Sequence, residues 1–375
     1  MDELKEIIKN KIKKTGKITF RDFMETALYH PKLGYYQKEN PFGITGSYYT
    51  SVDASFAFGR SIAKSLIYVI DYFKLKPQLI EIGAGRGFLA KDILDFIKDV
   101  DNKLYNSLTY IIVERSEYLI GVQRDVLSNH KGRVLWCNLD DLHEFEGVIF
   151  SNELIDAFPV HRVINIDGEY KELYVVDHND KLQFFPDNLS TSALKEYLEY
   201  LSINLKNKQI ADINLDALAF LKRLSSLISK GFILTIDYGF LAKQLYSSFR
   251  MDGTVTCYFK HTQNNNFFER IGYQDITAFV DFSALIEYGK LFNLDCLAFM
   301  EQWKYLLLSS ILEEIENAKS DLEKASIKSL IMPDVGFGSN FHVLMQAKNL
   351  KWGEDFKYLR SSANLFDDLL GNYIK

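Results

Sequence analysis

The 375-residue sequence contains only three cysteines, and it has neither an excess of positive charge nor a long hydrophobic run. Cys137, Cys257 and Cys296 lie far apart, without the paired spacing of a zinc site or a disulfide framework. We therefore predict no metal site, and we expect reduced, buried thiols in a cytoplasmic protein.

The net charge is negative, which bears on the partners of the protein. A charge of −6 and a pI near 5.7 provide no basic face, and this argues against nucleic acid as a partner. No stretch has the length of a membrane span, and the lysine-rich N-terminus lacks the apolar core of a signal peptide. We expect a soluble, cytoplasmic protein without membrane insertion.

A glycine-rich turn is the most informative feature that the sequence does contain. Residues 79–82 form an apolar strand pattern, residues 83–87 read Gly-Ala-Gly-Arg-Gly, and an amphipathic helix pattern follows at 88–98. Such a turn places backbone N–H groups at a helix N-terminus, close to a ligand that lies across the strand ends. The alternative is a plain strand-to-helix turn, which commonly holds one glycine.

The spacing of the glycines separates two classes of ligand. A dinucleotide site has its third glycine three residues after the second, but Gly87 follows Gly85 by only two. Glu81, two residues before the first glycine, suits a cationic ligand better than a pyrophosphate. S-adenosylmethionine carries a sulfonium and an ammonium group, and we therefore favour it as the cofactor.

The next strand pattern ends in an acidic residue. Residues 110–113 read as a buried parallel strand, and Glu114 stands where nucleoside-binding sheets place the carboxylate that binds the ribose hydroxyls. A glutamate at a strand end is otherwise most often a solvated loop residue, so this prediction depends on the glycine turn before it.

The core of the chain alternates between strand and helix patterns, which predicts a parallel sheet with helices on both faces. Strands are expected near 78–82, 109–114, 133–137, 147–151, 231–237, 296–300 and 341–347, with helices at 53–73, 117–130, 192–229 and 303–329. We predict an N-terminal helical extension with a cofactor-covering loop at 1–75, core segments at 76–162 and 230–375, an inserted subdomain at 163–229 and a long substrate-side loop at 238–282.

An acidic segment follows the fourth strand. Residues 151–159 read Ser-Asn-Glu-Leu-Ile-Asp-Ala-Phe-Pro, and Glu153 and Asp156 would share one face if the segment were helical. We expect Asn152 and Glu153 to face the methyl donor. The alternative is a capped helix start with an exposed Asp156.

Blocks of residues that together are typical of one enzyme family cover most of the chain: Ile18-Thr19-Phe20, His30-Pro31, Gly34-Tyr35-Tyr36, Thr50-Ser51, Phe58-Gly59, Glu81 to Gly87, Ser151-Asn152-Glu153, Asp156-Ala157, Pro159-Val160, Ile236-Asp237-Tyr238-Gly239, Gly253-Thr254, Cys257-Tyr258, His261, Gln274 to Thr277 and Val280-Asp281-Phe282. In these blocks the chain resembles the MidA family of S-adenosylmethionine-dependent methyltransferases. The chain departs from the family at Ser47, Val52 and Asp53, where the family has aspartate, proline and glutamate.

The resemblance implies an α/β, Rossmann-like class I methyltransferase fold of seven strands with the last antiparallel, a helical N-terminal extension and an inserted α+β subdomain. It also implies transfer to arginine of a protein substrate, which the mitochondrial member dimethylates symmetrically on a complex I subunit. A respiratory-complex subunit is therefore a candidate partner, and a homodimer is compatible with the resemblance. The predicted cofactor-binding residues are Glu81, Gly83, Ala84, Gly85, Gly87, Glu114, Asn138 and Asn152.

An arginine substrate requires carboxylates, because its guanidinium stays charged and must be directed at the methyl group. We assign this task to Glu153 and Asp156, with His261 as proton acceptor and Tyr238 and Asp281 as neighbouring groups. A lone histidine in a polar loop is usually structural or solvated. The sequence leaves open methylation of a small molecule or RNA, and a non-catalytic, cofactor-binding assembly chaperone.

Overall fold

The structure is a computed structural model that describes residues 2–38, 51–332 and 340–359. The part of the predicted N-terminal loop that contains Gly46, Ser47 and Thr50 lies outside the described residues. Residues 336–339, whose sequence Gly-Phe-Gly-Ser predicts a turn, lie outside them as well.

The described strands are β1 (Ile18–Thr19), β2 (Gln78–Ile82), β3 (Thr109–Val113), β4 (Val134–Cys137), β5 (Phe145–Asn152), β6 (His161–Ile166), β7 (Glu169–His178), β8 (Lys181–Asp187), β9 (Ile210–Ile213), β10 (Ile228–Phe240), β11 (Thr256–Phe259), β12 (Thr262–Asn264), β13 (Asp275–Thr277), β14 (Val280–Asp281), β15 (Asp295–Glu301) and β16 (Phe341–Lys348).

The described helices are α1 (Asp2–Thr15), α2 (Phe20–Tyr29), α3 (Ser51–Ala54), α4 (Phe56–Phe73), α5 (Phe88–Val100), α6 (Asn102–Ser107), α7 (Glu117–Val126), α8 (Ala193–Tyr200), α9 (Leu215–Leu227), α10 (Ala242–Leu245), α11 (Phe282–Leu291), α12 (Gln302–Leu308), α13 (Ile311–Glu316) and α14 (Asp321–Ser329).

One compact unit, which we call the core unit, consists of Thr50–Leu154, Arg223–Tyr238 and Gly289–Lys375. Its described sheet has the strand order β4-β3-β2-β5-β10-β16-β15. In this order the neighbours β4, β3, β2, β5 and β10 pair in parallel, whereas β16 lies antiparallel between β10 and β15. This architecture confirms the predicted class I methyltransferase fold.

The hydrophobic core of this unit forms where the apolar faces of its strands and helices pack against each other. Ile80 on β2 pairs with Ile111 on β3 and Ile149 on β5, and the buried face of α5 includes Leu89 and Ile93. Burial on both faces explains why these strands read as continuous apolar runs. Because the parallel strands β2, β3, β4 and β5 point the same way, their carboxyl ends lie at one edge of the sheet.

The other compact unit, which we call the accessory unit, consists of Met1–Tyr49, Ile155–Lys222 and Gly239–Tyr288. Its described strands form a sheet with the path β1-β7-β6-β9, in which β8 pairs with β7, and a small sheet β12-β11-β13. The strand-like patterns at 170–176 and 181–185, joined by His-Asn-Asp, predict a hairpin, and β7 and β8 confirm it. The division of the chain into four segments stays a prediction. The segment 238–282, predicted as one long loop, contains α10 and the strands β11, β12, β13 and β14.

Three helix predictions need correction. The segment 192–229 contains the strand β9 between α8 and α9. The segment 303–329 forms α12, α13 and α14, because Ser310 has a left-handed backbone (φ 62°) and Ser320 caps a new helix by accepting from the Glu323 N–H. The segment 53–73 is interrupted at Ser55, whose hydroxyl caps α4. Among the described residues, no helix is both long and apolar enough to span a membrane.

Candidate active site

The glycine turn follows the end of β2. Gly83, Gly85 and Gly87 have φ values of 72°, 53° and 84°, in the left-handed region that side chains disfavour. A Cβ on Gly83 would lie 2.7 Å from Cδ1 of Leu154. Gly87 precedes the first residue of α5, and Ala84, between the first two glycines, is buried. The turn therefore places the first N–H groups of α5, which have no acceptor within the helix, at the sheet edge, as predicted.

Glu81 lies two residues before this turn, inside β2. Its side chain is buried, and its Oε2 accepts a 2.6 Å hydrogen bond from the Tyr110 hydroxyl. Burial raises the pKa of Glu81 to about 7, the Tyr110 hydroxyl opposes the rise and the charge of Glu114 adds to it. Its predicted contact with a cationic ligand stays a prediction.

Glu114 follows β3, and its carboxylate has a fixed orientation. Oε1 accepts from the backbone N–H groups of Arg115 and Ser116, each at 2.9 Å. Burial raises the pKa of Glu114, and these donors oppose the rise.

Asn138, after β4, is exposed, and its backbone N–H donates to Oδ2 of Asp141 at 3.2 Å. The ribose role of Glu114 and the cofactor role of Asn138 stay predictions.

The acidic segment after β5 is not an α-helix. The Glu153 N–H donates to the carbonyl of Ile236 at 2.9 Å, which extends the parallel pairing of β5 and β10. Glu153 then has a left-handed backbone (φ 50°), and the Leu154 N–H donates to Oδ2 of Asp237 at 3.2 Å. A short 3-10 turn occupies Ile155–Ala157. The expectation that Glu153 and Asp156 share a helix face is therefore wrong.

Glu153 belongs to a group of carboxylates in the core unit. Burial, followed by the negative charges of Asp237 and Asp53, raises the pKa of Glu153 to about 8. Its carboxylate accepts from Nδ2 of Asn152 at 3.1 Å and from the Ser51 N–H. A glutamate with a left-handed backbone conformation costs about 1–2 kcal/mol, and such strain concentrates at functional sites.

Two carboxylates of this group were not among the site residues predicted from the sequence. Asp237 is fully buried, and its carboxylate accepts from the N–H groups of Leu154 and Tyr238. Asp53 forms an ion pair with Arg86, the arginine of the glycine turn. Asp237 stands in a block that matches the family, which was the signal available in the sequence, whereas Asp53 stands where the chain departs from the family.

Two predicted catalytic residues belong to the accessory unit. Asp156 is buried in the 3-10 turn, where its carbonyl accepts from the Ala278 N–H. His261 is exposed at the tip of the β11–β12 hairpin, where Lys260 and His261 both have positive φ, as in a tight hairpin turn. Their catalytic roles stay predictions.

Tyr238 and Asp281 were predicted as neighbouring groups. The Tyr238 ring lies 5.7 Å from that of Phe341 in the core unit. Asp281 accepts from the Tyr197 hydroxyl at 2.7 Å in the accessory unit, and burial raises its pKa to about 6. The Asp281 carboxylate therefore has a structural partner on α8.

The core-unit residues fit S-adenosylmethionine. The glycine turn lets backbone approach a ligand closely, and Glu114 presents an oriented carboxylate at the end of the next strand. Oδ1 of Asn152 is buried and has no hydrogen-bond partner among the described residues, so the ammonium group of the cofactor would supply a suitable donor.

Comparison with known proteins gives the same cofactor. A sequence model of a family described as S-adenosyl-L-methionine-dependent methyltransferases matches residues 62–300, more than half of the chain. The mitochondrial protein arginine methyltransferase NDUFAF7 of Danio rerio is 27% identical over 315 residues, which cover 75% of this chain and 71% of that protein. The Homo sapiens protein of that name is 28% identical over 309 residues, covering 73% and 66%.

A solved structure resembles the whole chain. It is a crystal structure of a Burkholderia thailandensis protein bound to S-adenosyl-homocysteine, with a TM-score of 0.87 and 25% identity. The match covers 96% of this chain and 95% of that one. The chain belongs to the MidA family of S-adenosylmethionine-dependent methyltransferases.

Proposed function

We propose that this methyltransferase modifies arginine side chains of a protein substrate. The observation that carries the proposal is the group of carboxylates at the end of β5, where Glu153 has a left-handed backbone and Asp237 accepts the N–H of the next residue, Leu154. Burial and the charges of Asp237 and Asp53 raise the pKa of Glu153 to about 8. A guanidinium beside these carboxylates would relieve their repulsion, because it remains protonated and binds carboxylates through paired N–H groups. The arginine methyltransferase names of the relatives support the same substrate class.

Alignment is the main contribution that the protein must make to the reaction. When bound, S-adenosylmethionine supplies a methyl group on a sulfonium, which is already a strong electrophile. Glu153 and Asp237 would hold the guanidinium so that one nitrogen points along the bond that breaks. That nitrogen gains the methyl group as the methyl–sulfur bond breaks, and it gives one proton to the Glu153 carboxylate, from which the proton reaches solvent. The methylated product is again a cation that the carboxylates stabilise.

The proposal includes the partner and location expected from the sequence. The substrate is a protein, a subunit of a respiratory complex is one candidate, and the site of action is the cytoplasm. A guanidinium on an exposed segment of a folded protein, or on a flexible tail, would satisfy the chemistry equally well. The identity of that protein does not affect the test below.

The first test measures which residue receives the methyl group. We expect incubation with tritiated-methyl S-adenosylmethionine and cell-lysate protein to label protein bands, and acid hydrolysis to release the label as methylated arginine. The Gly85→Val variant should show no labelling, because valine at φ 53° distorts the cofactor turn. Label found in lysine, in RNA or in small molecules would contradict the proposal.

A second expected result concerns cofactor affinity and pH. Glu81 has a pKa of about 7, so it is neutral in more acidic solution and anionic in more basic solution. If its carboxylate faces the cationic cofactor, affinity for S-adenosylmethionine rises with pH up to about 7, by at most about tenfold per unit, and then levels off. Isothermal titration calorimetry across this range measures the dependence.

Variants separate this effect from titration of the ligand itself, whose amino group ionises near pH 8. Glu81→Gln should lose the dependence near pH 7 and keep only that of the ligand. Tyr110→Phe should move the midpoint to higher pH, because the Tyr110 hydroxyl stabilises the carboxylate. An unchanged pH dependence in Glu81→Gln would show that Glu81 does not contact the charged part of the cofactor.

A further inference from the structure

A glutamine on α7 connects the glycine turn to Glu114. Gln123 is completely buried, although it carries an uncharged amide that must find partners when removed from water. Its Nε2 donates to the carbonyl of Gly85 at 2.8 Å, and its Oε1 accepts from Nε1 of Trp136 at 2.9 Å. Both ends of the amide are therefore used.

The orientation of this amide is determined by its neighbours. An indole N–H can only donate, so it requires the oxygen of Gln123. The carbonyl of Gly85 can only accept, and so can the carboxylate of Glu114 when it is ionised. Both therefore require the amide nitrogen of Gln123. A flipped amide would lose these bonds, and the three partners thus select one state.

The second contact of Nε2 reaches the predicted ribose ligand. Nε2 lies 3.3 Å from Oε2 of Glu114, the oxygen that the backbone donors Arg115 and Ser116 do not occupy. The Gln123 side chain is also close to the turn, because a Cβ on Gly87 would lie 3.2 Å from its Cγ. One side chain thus touches both structures that are predicted to hold the cofactor.

We propose that Gln123 is a positioning residue that holds the glycine turn and the Glu114 carboxylate at a fixed separation for cofactor binding. It acts through these two groups and does not touch the reacting atoms. Trp136 supports it from β4 by fixing the amide. The proposal depends on the ribose role of Glu114 and does not depend on arginine being the methyl acceptor.

The test is a double-mutant cycle on binding of S-adenosylhomocysteine, measured by calorimetry. Gln123→Met preserves length and apolar volume but removes the three hydrogen bonds. We expect about a 10- to 100-fold increase in Kd, from the loss of two neutral and one charge-assisted bond, with a smaller change in kcat than in the cofactor KM. Trp136→Phe should weaken binding in the same direction by a smaller factor.

The matched control is Gln209→Met in the accessory unit. Gln209 is 1% exposed, and its Nε2 donates to the carbonyls of Tyr246, Ser247 and Arg250, so the same substitution removes comparable bonds away from the cofactor turn. We expect a loss of thermal stability in both variants, but a change of Kd only in Gln123→Met.

The combined variant decides how Gln123 acts. If it acts through Glu114, Gln123→Met should raise the Kd in the Glu114→Gln variant by a factor at least several-fold smaller than in the wild-type protein. Fully multiplicative effects would overturn the proposal, as would an unchanged Kd in either single variant. Because no methyl acceptor is present, failure of the arginine proposal would leave this result unaffected.

Discussion

Replacing Gly83 by valine is expected to abolish cofactor binding, with an increase in Kd of at least about 100-fold. Gly83 has φ 72°, where a β-branched residue is strongly disfavoured, and a Cβ would lie 2.7 Å from Cδ1 of Leu154. The peptide must rotate to relieve this strain, which turns the N–H groups of the turn away from the ligand. Thermal denaturation with and without S-adenosylhomocysteine measures the effect.

Gly132 provides a matched control in the same unit. It has φ 82°, but a Cβ there would meet nothing within 4 Å. Gly132→Val should therefore lose a comparable amount of stability through the backbone while keeping its response to the ligand. At a ligand concentration of about 100 times Kd, a binding-competent protein gains about 2.7 kcal/mol. A similar gain in Gly83→Val would contradict the role of the turn.

The elements that the sequence predicts well have strong local patterns. The apolar strands β2 and β3 and the turn at 83–87 were correctly placed, because buried parallel strands and glycine turns leave short-range signals. The resemblance to the family then supplied the seven-stranded sheet with its last strand antiparallel, which is β16. By contrast, α12, α13 and α14 read as one helix, because the interruptions at Ser310 and Ser320 depend on single residues.

The candidate site was predicted less completely than the fold. The conformation of Glu153 depends on Asp237, whose carboxylate accepts the N–H of Leu154 from 83 positions further along the chain. A helix-like spacing of Glu153 and Asp156 could not reveal this contact. Gln123 reads as one polar position of an amphipathic helix, and only the fold brings it to Gly85. Long-range hydrogen bonds therefore account for most of what was missed.

Among substitutions that leave the cofactor turn intact, Glu153→Gln has the largest expected effect on methyl transfer. Removing one partner of a buried, hydrogen-bonded charge pair costs about 2–5 kcal/mol, so kcat/KM for an arginine substrate should fall by about 30- to several thousand-fold. The Kd of S-adenosylhomocysteine should change only a few-fold. Single-turnover transfer to a labelled acceptor and calorimetry provide the two measurements.

Glu172→Gln controls for loss of a buried carboxylate. Glu172 lies in the accessory unit, where its Oε1 pairs with Nδ1 of His161 and its Oε2 accepts from the Ser190 N–H. This variant should lose stability but keep the kinetic constants of the folded fraction. Comparable loss of kcat/KM in both variants would show that Glu153 has no specific role in holding the acceptor.

The pH dependence gives an independent check on Glu153. Its pKa in the free protein is about 8, so the side chain is protonated at neutral pH and must ionise to hold a guanidinium. The KM for the acceptor should therefore fall as the pH rises toward about 8 and then level off, and Glu153→Gln should lose this dependence.

Ionisation of Glu153 should also lower the stability of the folded protein as the pH rises. The folded state holds the Glu153 proton more tightly than the unfolded chain, whose glutamate has its ordinary pKa near 4.5. Between these values the folded state binds more protons, so this group lowers stability as the pH rises through that interval. Thermal unfolding should thus find Glu153→Gln gaining stability relative to the wild-type protein from pH 5 toward about pH 8. A pH-independent difference would show that Glu153 is ionised throughout and that the carboxylates already have a cation.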